Sequence, residues 1–187
     1  AVGFAKLARD GGLANNTVAS GYMEQLSDLL SVMPAWPIDS NKRTLLMRKA
    51  CKFHFINLAV AIAFHPSSLR YVHEFADLAP ELQGVFMEWL VAQEIWRRSV
   101  LAGRSNPEAM GFWASKEHEI DFVTPDKEFI EVKRGKAGPM DFSWFSRTFP
   151  RDHLTVICRS PFTSRQVTGV TMEDFLLSAP TSLPYGE

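Results

Sequence analysis

Cysteine is scarce in this chain of 187 residues: Cys51 and Cys158 are the only two. They form no C-x-x-C or zinc-type spacing. This excludes a disulfide framework and a cysteine-built zinc site, and both thiols read as buried groups of a protein from a reducing, cytoplasmic compartment. There is no G-x-x-x-x-G-K-[ST] stretch, so hydrolysis of a nucleotide on a phosphate loop does not reside in these residues. Long apolar runs are missing too. The longest, Ile56 to Phe64, falls short of the roughly 20 residues a bilayer demands, and no secretory leader pattern stands at the start. Net charge is −1, so no global basic signature marks a nucleic-acid binder. Internal repeats and low-complexity tracts are absent.

Apolar residues make up 46% of the chain and charged ones 22%. This composition predicts a soluble globular protein with a substantial core, as one ordinary domain or two small ones. The charge is uneven. Five Lys/Arg and no acid lie between Lys42 and Lys52, and seven Lys/Arg against three acids lie between Glu131 and Arg165. Such patches suit phosphate, and a solvated basic surface has the same composition.

Glu119-Ile120-Asp121-Phe122-Val123 and Phe129-Ile130-Glu131-Val132-Lys133 both read as strands, with a turn at Pro125-Asp126 between them. Alternation puts Asp121 on one face with Glu119 and Val123, opposite Ile120 and Phe122. In the second strand Phe129, Glu131 and Lys133 share a face, and Ile130 and Val132 take the other. A hairpin would bring Asp121 beside Glu131. Two neighbouring carboxylates repel unless a cation lies between them. A hard ion such as Mg²⁺ or Mn²⁺ takes oxygen ligands and can polarise a phosphoryl oxygen. A nearby lysine can orient water or stabilise charge on phosphate. The same residues also suit an ordinary same-face ion pair.

Taken in order, residues 1–31 read as two helices joined by a polar link at Leu13 to Thr17. In the second, Val18, Tyr22, Leu26, Leu29 and Leu30 form an apolar stripe. Residues Ser31 to Leu46, with Pro34, Pro37 and an Asp39-Ser40-Asn41-Lys42 turn, suit a hairpin and hence a winged helix. Its second helix would be the DNA-docking element, but it carries Glu24 and Asp28 and no Lys or Arg. Protein contact is the other use of such a unit. Lys52 to Ile56 reads as a short strand leading to an apolar helix, Leu58 to Phe64. His54 and His65 read as structural. Pro66 to Pro80 is a linker, helical around Tyr71 to Leu78. Gly84 to Val100 is a buried helix. On it Glu88 faces Val85, Val91, Ala92 and Ile95, a costly place for an acid unless it is paired or metal-bound. Glu94 instead has Arg97 and Arg98 as surface partners. A strand at Gly111 to Ser115, a helix over Asp141 to Phe149 and a strand at Leu154 to Cys158 follow. A helical turn at Met172 to Leu177 and a loose tail with Pro180 and Pro184 complete the chain.

The order from Gly84 is helix, three strands, helix, strand. With Ile120-Asp121 and Glu131-x-Lys133, it resembles the PD-(D/E)xK restriction-endonuclease-like fold. More closely, Phe112-Trp113, His118 to Val123 and Phe129 to Lys133 look like the nuclease-like C-terminal region of prokaryotic AAA-type ATPases. Lys52 to Leu58 looks like the winged-helix portion that precedes it. Asn57 stands where such sequences often have an acid. The resemblance implies an α/β fold, a restriction-endonuclease-like mixed sheet flanked by helices (67–187), preceded by a winged-helix-like domain (1–66). It further implies that the chain is part of a longer protein whose ATPase domain is a partner. Asp121, Glu131, the Val132 carbonyl and Glu88 would bind Mg²⁺ or Mn²⁺. Asp121, Glu131, Lys133 and Glu88 would be catalytic, and Arg134, Lys136 and Arg147 would contact DNA phosphate. Three functions follow: a metal-dependent nuclease, a non-catalytic regulatory module of the ATPase, and a winged-helix DNA-binding regulator. No membrane partner is expected, and the oligomeric state stays open.

Overall fold

The structure is a computed structural model that describes residues 1–67, 69–104 and 110–178. Helix α1 (Phe4–Asp10) ends at Gly11 and Gly12. Gly12 sits at φ +65°, a conformation that glycine adopts without Cβ strain. Helix α2 (Asn16–Asp28) starts where the Asn15 side chain accepts the Val18 amide, a normal N-cap. The expected stripe on α2 stays largely outside the core: Tyr22 is 52% exposed and Leu29 71%.

Strands β1 (Val32–Pro37) and β2 (Lys52–Phe55) pair antiparallel, and β1 pairs in parallel with β3 (Met110–Ala114). The sheet therefore runs across the boundary drawn at residue 66. Of the hairpin expected within Ser31 to Leu46, β1 forms one arm and turns at Asp39, whose Oδ1 accepts the Asn41 and Lys42 amides; the return arm is no more than an antiparallel bridge of Ile38 with Leu45. The partner strand comes later, at Lys52. Pro34 and Pro37 lack ladder donors, which argues against an interior strand, yet β1 lies between β2 and β3.

Helix α3 (Leu58–Phe64) is capped by Asn57, whose side chain accepts the Val60 amide. The residue noted as a departure from an acid is thus an N-cap. Helix α4 (Val72–Ala76) falls inside the linker, and α5 (Pro80–Leu101) opens with proline at its first turn, where the missing N–H costs nothing. Then come β4 (Glu119–Val123), β5 (Phe129–Val132), a 3₁₀ turn at Pro139–Phe142 and α6 (Phe145–Thr148). The single helix expected over Asp141 to Phe149 is split at Ser143 and Trp144, although Phe142, Phe145 and Phe149 are all buried as expected. Strands β6 (Leu154–Ile157), β7 (Phe162–Thr163) and β8 (Val167–Val170) and helix α7 (Met172–Leu177) follow. Sequence reading had missed β7 and β8. The tail with Pro180 and Pro184 lies outside the described residues.

The result is an α/β architecture with one mixed sheet in the order β2-β1-β3-β4-β5-β6-β8-β7, flanked by helices. One face buries Val91, Ala92 and Ile95 of α5 against Met33, Ala35, Phe112, Phe122 and Ile130. The other buries Phe142, Phe145 and Phe149 against Trp113, Ile120, Phe129 and Leu154. No described helix is long and apolar enough to cross a membrane.

Candidate active site

The β4–β5 ladder pairs Val123 with Phe129 and Phe122 with Ile130. One step further this register sets Asp121 opposite Glu131, and side chains take over the bonding there. Glu131 Oε2 accepts the Asp121 amide at 3.2 Å, and Asp121 Oδ2 accepts the Val132 amide at 2.9 Å. Each carboxylate is thus held by the backbone of the opposite strand, and both residues are buried. It is the amide of Val132, rather than its carbonyl, that meets Asp121.

The expected alternation fails along β4. Ile120 and Val123 join one core cluster, whereas Phe122 joins the other. The cause is a bulge in β4 itself: between the pairs Gly111–Val123 and Trp113–Ile120 the ladder advances two residues on β3 and three on β4. A β-bulge of this kind re-aims side chains next to it. Gly111 is required at that place, because a Cβ would lie 2.7 Å from Ile38 Cγ2 and 3.2 Å from the Val123 carbonyl oxygen. In β5 the expected division holds: Ile130 and Val132 pack on the α5 side and Phe129 on the other.

Lys133 Nζ lies 2.5 Å from Glu131 Oε1. A second lysine, not expected at the site, comes from β2. Lys52 Nζ lies 2.5 Å from Glu119 Oε1 and 3.2 Å from Asp121 Oδ1. Its ammonium also sits over the Phe112 ring, 5.5 Å from the centroid. Glu88, half-buried on α5, feels the charges of Asp121, Lys52, Glu119 and Lys133. Four carboxyl groups therefore share two ammonium groups.

The electrostatics follow from burial first and from that imbalance second. Burial, then repulsion by Asp121, pushes the Glu131 carboxyl up to about 8, with Lys133 opposing. Burial and Asp121 likewise push Glu88 up to about 7, with Lys52 opposing. Burial lowers the Lys52 pKa, but Asp121, Glu119 and Glu88 more than reverse this, so Lys52 stays charged well above neutrality. Lys133 is raised in the same sense: its burial is outweighed by Glu131, Asp121 and Glu119.

An open cleft of about 350 Å³ borders the pair, lined by Glu131, Lys133, Lys136, His118, Phe142 and Trp144 among others. His118 stacks on Trp144 at 4.4 Å, and Trp144 stacks on Trp113 at 5.4 Å. Of the expected phosphate contacts, Lys136 lines this cleft. Arg134 donates to Gln83 Oε1 at 3.1 Å, at the start of α5. Arg147 is exposed on α6 and does not line the cleft. A larger hollow of about 600 Å³, lined by Arg98, Arg104, Asp126 and Asp174, contains none of the site acids. Glu94 also differs from expectation. It is buried, with Arg97 Nε at 2.6 Å and Arg98 Nε at 2.7 Å; the expected partners hold, Arg97 on the surface and Arg98 half-buried, while the carboxylate itself lies beneath them.

Among the described residues, no group of three or more His, Cys, Asp or Glu side chains is arranged to hold a metal ion. The chemistry of the donor set nonetheless fits a hard divalent cation. Glu88, Asp121 and Glu131 offer carboxylate oxygens, and Glu88 and Glu131 are raised by burial first and by repulsion from Asp121 second. Comparison with protein-family models, with curated proteins and with solved structures finds no match to this chain.

Proposed function

We propose that this chain carries a divalent-metal-dependent phosphodiester hydrolase site acting on DNA. On this reading it is a PD-(D/E)xK-like domain operating beside an ATPase domain of a longer chain. The observation that supports it is the pair Asp121–Glu131, each carboxylate gripped by the opposite strand's amide, with Lys133 on Glu131. Asp121, Glu131 and Glu88 would hold Mg²⁺ or Mn²⁺, with the Val132 carbonyl as a further oxygen donor. When bound, the cation acidifies water and stabilises charge on the phosphoryl oxygens. Lys133, exposed at the mouth, stabilises the charge that builds on phosphate. Glu88, with its carboxyl pushed towards neutrality, is suited to orient the attacking water and accept its proton. The cleft with His118 and Lys136 receives the strand that flanks the scissile bond.

A second reading, a non-catalytic regulatory module of the ATPase, is favoured by one observation. Lys52 and Lys133 already pair with Asp121 and Glu131, as a purely structural ion cluster would. The test is cleavage of single-stranded, duplex and branched DNA and RNA in Mn²⁺, wild type against Asp121→Ala. The hydrolase reading expects cleavage that the variant abolishes, a loss of at least about a hundredfold. Cleavage that survives in the variant, or none by either protein, would overturn it.

A further inference from the structure

Lys52 belongs to no part of the strand pair that builds the acidic site. It arrives from β2, two strands beyond β3 in the sheet order, because that sheet curls β2 over β4. His54 on the same strand confirms the approach, its ring centroid lying 4.8 Å from that of Phe122. The facing position on β1 is Ala35, fully buried and small enough to let Lys52 pass over it. The ammonium then bridges Glu119 and Asp121 with its side chain only 17% exposed. A buried ammonium is held by such partners and is costly without them.

We propose that Lys52 is a tethered cation that competes with the divalent ion for Asp121, so that metal entry requires Lys52 to withdraw from Asp121 Oδ1. This rests on the reading of Asp121 and Glu131 as metal ligands. Lys52 becomes a gate on the site, and the gate is carried by the N-terminal strand pair. Withdrawal leaves the ammonium on Glu119, which reaches further towards solvent, its side chain being 46% exposed. The backbone bridge between Val2 and Cys51, beside Lys52, ties the start of the chain to the same strand. Any event that shifts β2 therefore changes metal affinity without touching a metal ligand.

The test is Mn²⁺ binding, by calorimetry and by the electron paramagnetic resonance of free Mn²⁺, to wild type, Lys52→Met and Asp121→Asn. Methionine keeps the apolar stem and removes the charge. The proposal expects Lys52→Met to bind Mn²⁺ about tenfold tighter or more, since one close positive charge no longer opposes the ion, and Asp121→Asn to lose binding. Unchanged or weaker binding by Lys52→Met, with wild-type binding intact and lost in Asp121→Asn, would overturn the gate and leave the metal site standing. Absence of binding in every protein would overturn both. A second measurement needs no variant. Reductive methylation of wild-type lysines, read by peptide mass spectrometry, should modify Lys52 severalfold faster when Mg²⁺ is added, with Lys49 as the internal control. An unchanged Lys52 rate in saturating Mg²⁺ would overturn the gate.

Discussion

At the residue scale, His54 shows the cost of curling β2 over the site. It is 2% exposed, and its Nε2 has no hydrogen-bond partner among the described residues. Burial, then the charge of Lys52, lowers its pKa to about 3. The unfolded chain takes up a proton near pH 6.5 and the folded one does not, so His54 withdraws stability as pH falls from 6.5 towards 3. Replacing it with phenylalanine, which can keep the ring contact with Phe122, should remove this acid-side loss. Urea unfolding at pH 7 and pH 5 should show the variant gaining about 2 kcal/mol on wild type over that interval. Parallel curves at the two pH values would contradict a buried neutral His54. His54 was read as structural from sequence, and this is the role its surroundings support. Lys52 was read as a member of a basic cluster and as the start of a short strand, with no place at the acidic site. Nothing in its neighbours predicts a partner 69 residues away, because the pairing of β1 with β3 that delivers it is non-local.

At the element scale, α7 is fastened to α5 through Arg98. Its guanidinium pairs with Glu94, donates to the Phe175 carbonyl and lies 4.4 Å over the Phe175 ring. Glu94 keeps Arg97 when Arg98 is removed, so what is lost is the fastening to α7. Arg98→Met should cost about 1–2 kcal/mol in urea unfolding and release the α7 amides first in hydrogen exchange. Unaltered protection of α7 would mean that the latch carries no load. The short β7 depends on Gly169. A Cβ there would lie 2.3 Å from the Phe162 ring, so Gly169→Ala should cost about 1–3 kcal/mol by overpacking. Gly21, mid-α2 with no atom within 4 Å of an added Cβ, should instead gain up to about 1 kcal/mol as alanine. Thermal melts of the two variants should shift in opposite directions, and a common direction would contradict this packing. Helices α1, α2, α3 and α5 and strands β3 to β6 were legible because each has a sustained period or an apolar run. Strand β1 fell within the hairpin expected over Ser31 to Leu46, but its two prolines hid its place between β2 and β3. Strands β7 and β8 are too short to show a period. The faces of β4 were misread because an extra residue between Ile120 and Val123 breaks the strict alternation, and nothing in the apolar pattern of Glu119 to Val123 marks it.

At the scale of the whole molecule, one sheet gathers the site from three distant stretches. Residues β4 and β5 supply the opposed carboxylates, α5 supplies Glu88, and β2 supplies Lys52. The local part of this site, Asp121 with Glu131 and Lys133, could be read from two adjacent strands. Of the distant part, Glu88 stood out as an acid on an apolar helix face, and only Lys52 came from the topology alone. On the proposed function these acids form a seat for a divalent cation, and anomalous diffraction from crystals soaked in Mn²⁺ tests this directly. A single strong peak between the Asp121 and Glu131 carboxylates is expected, with Lys52 Nζ moved away from Asp121 Oδ1. Saturating Mn²⁺ that leaves no peak there, with the Lys52–Asp121 pair intact, would contradict that reading.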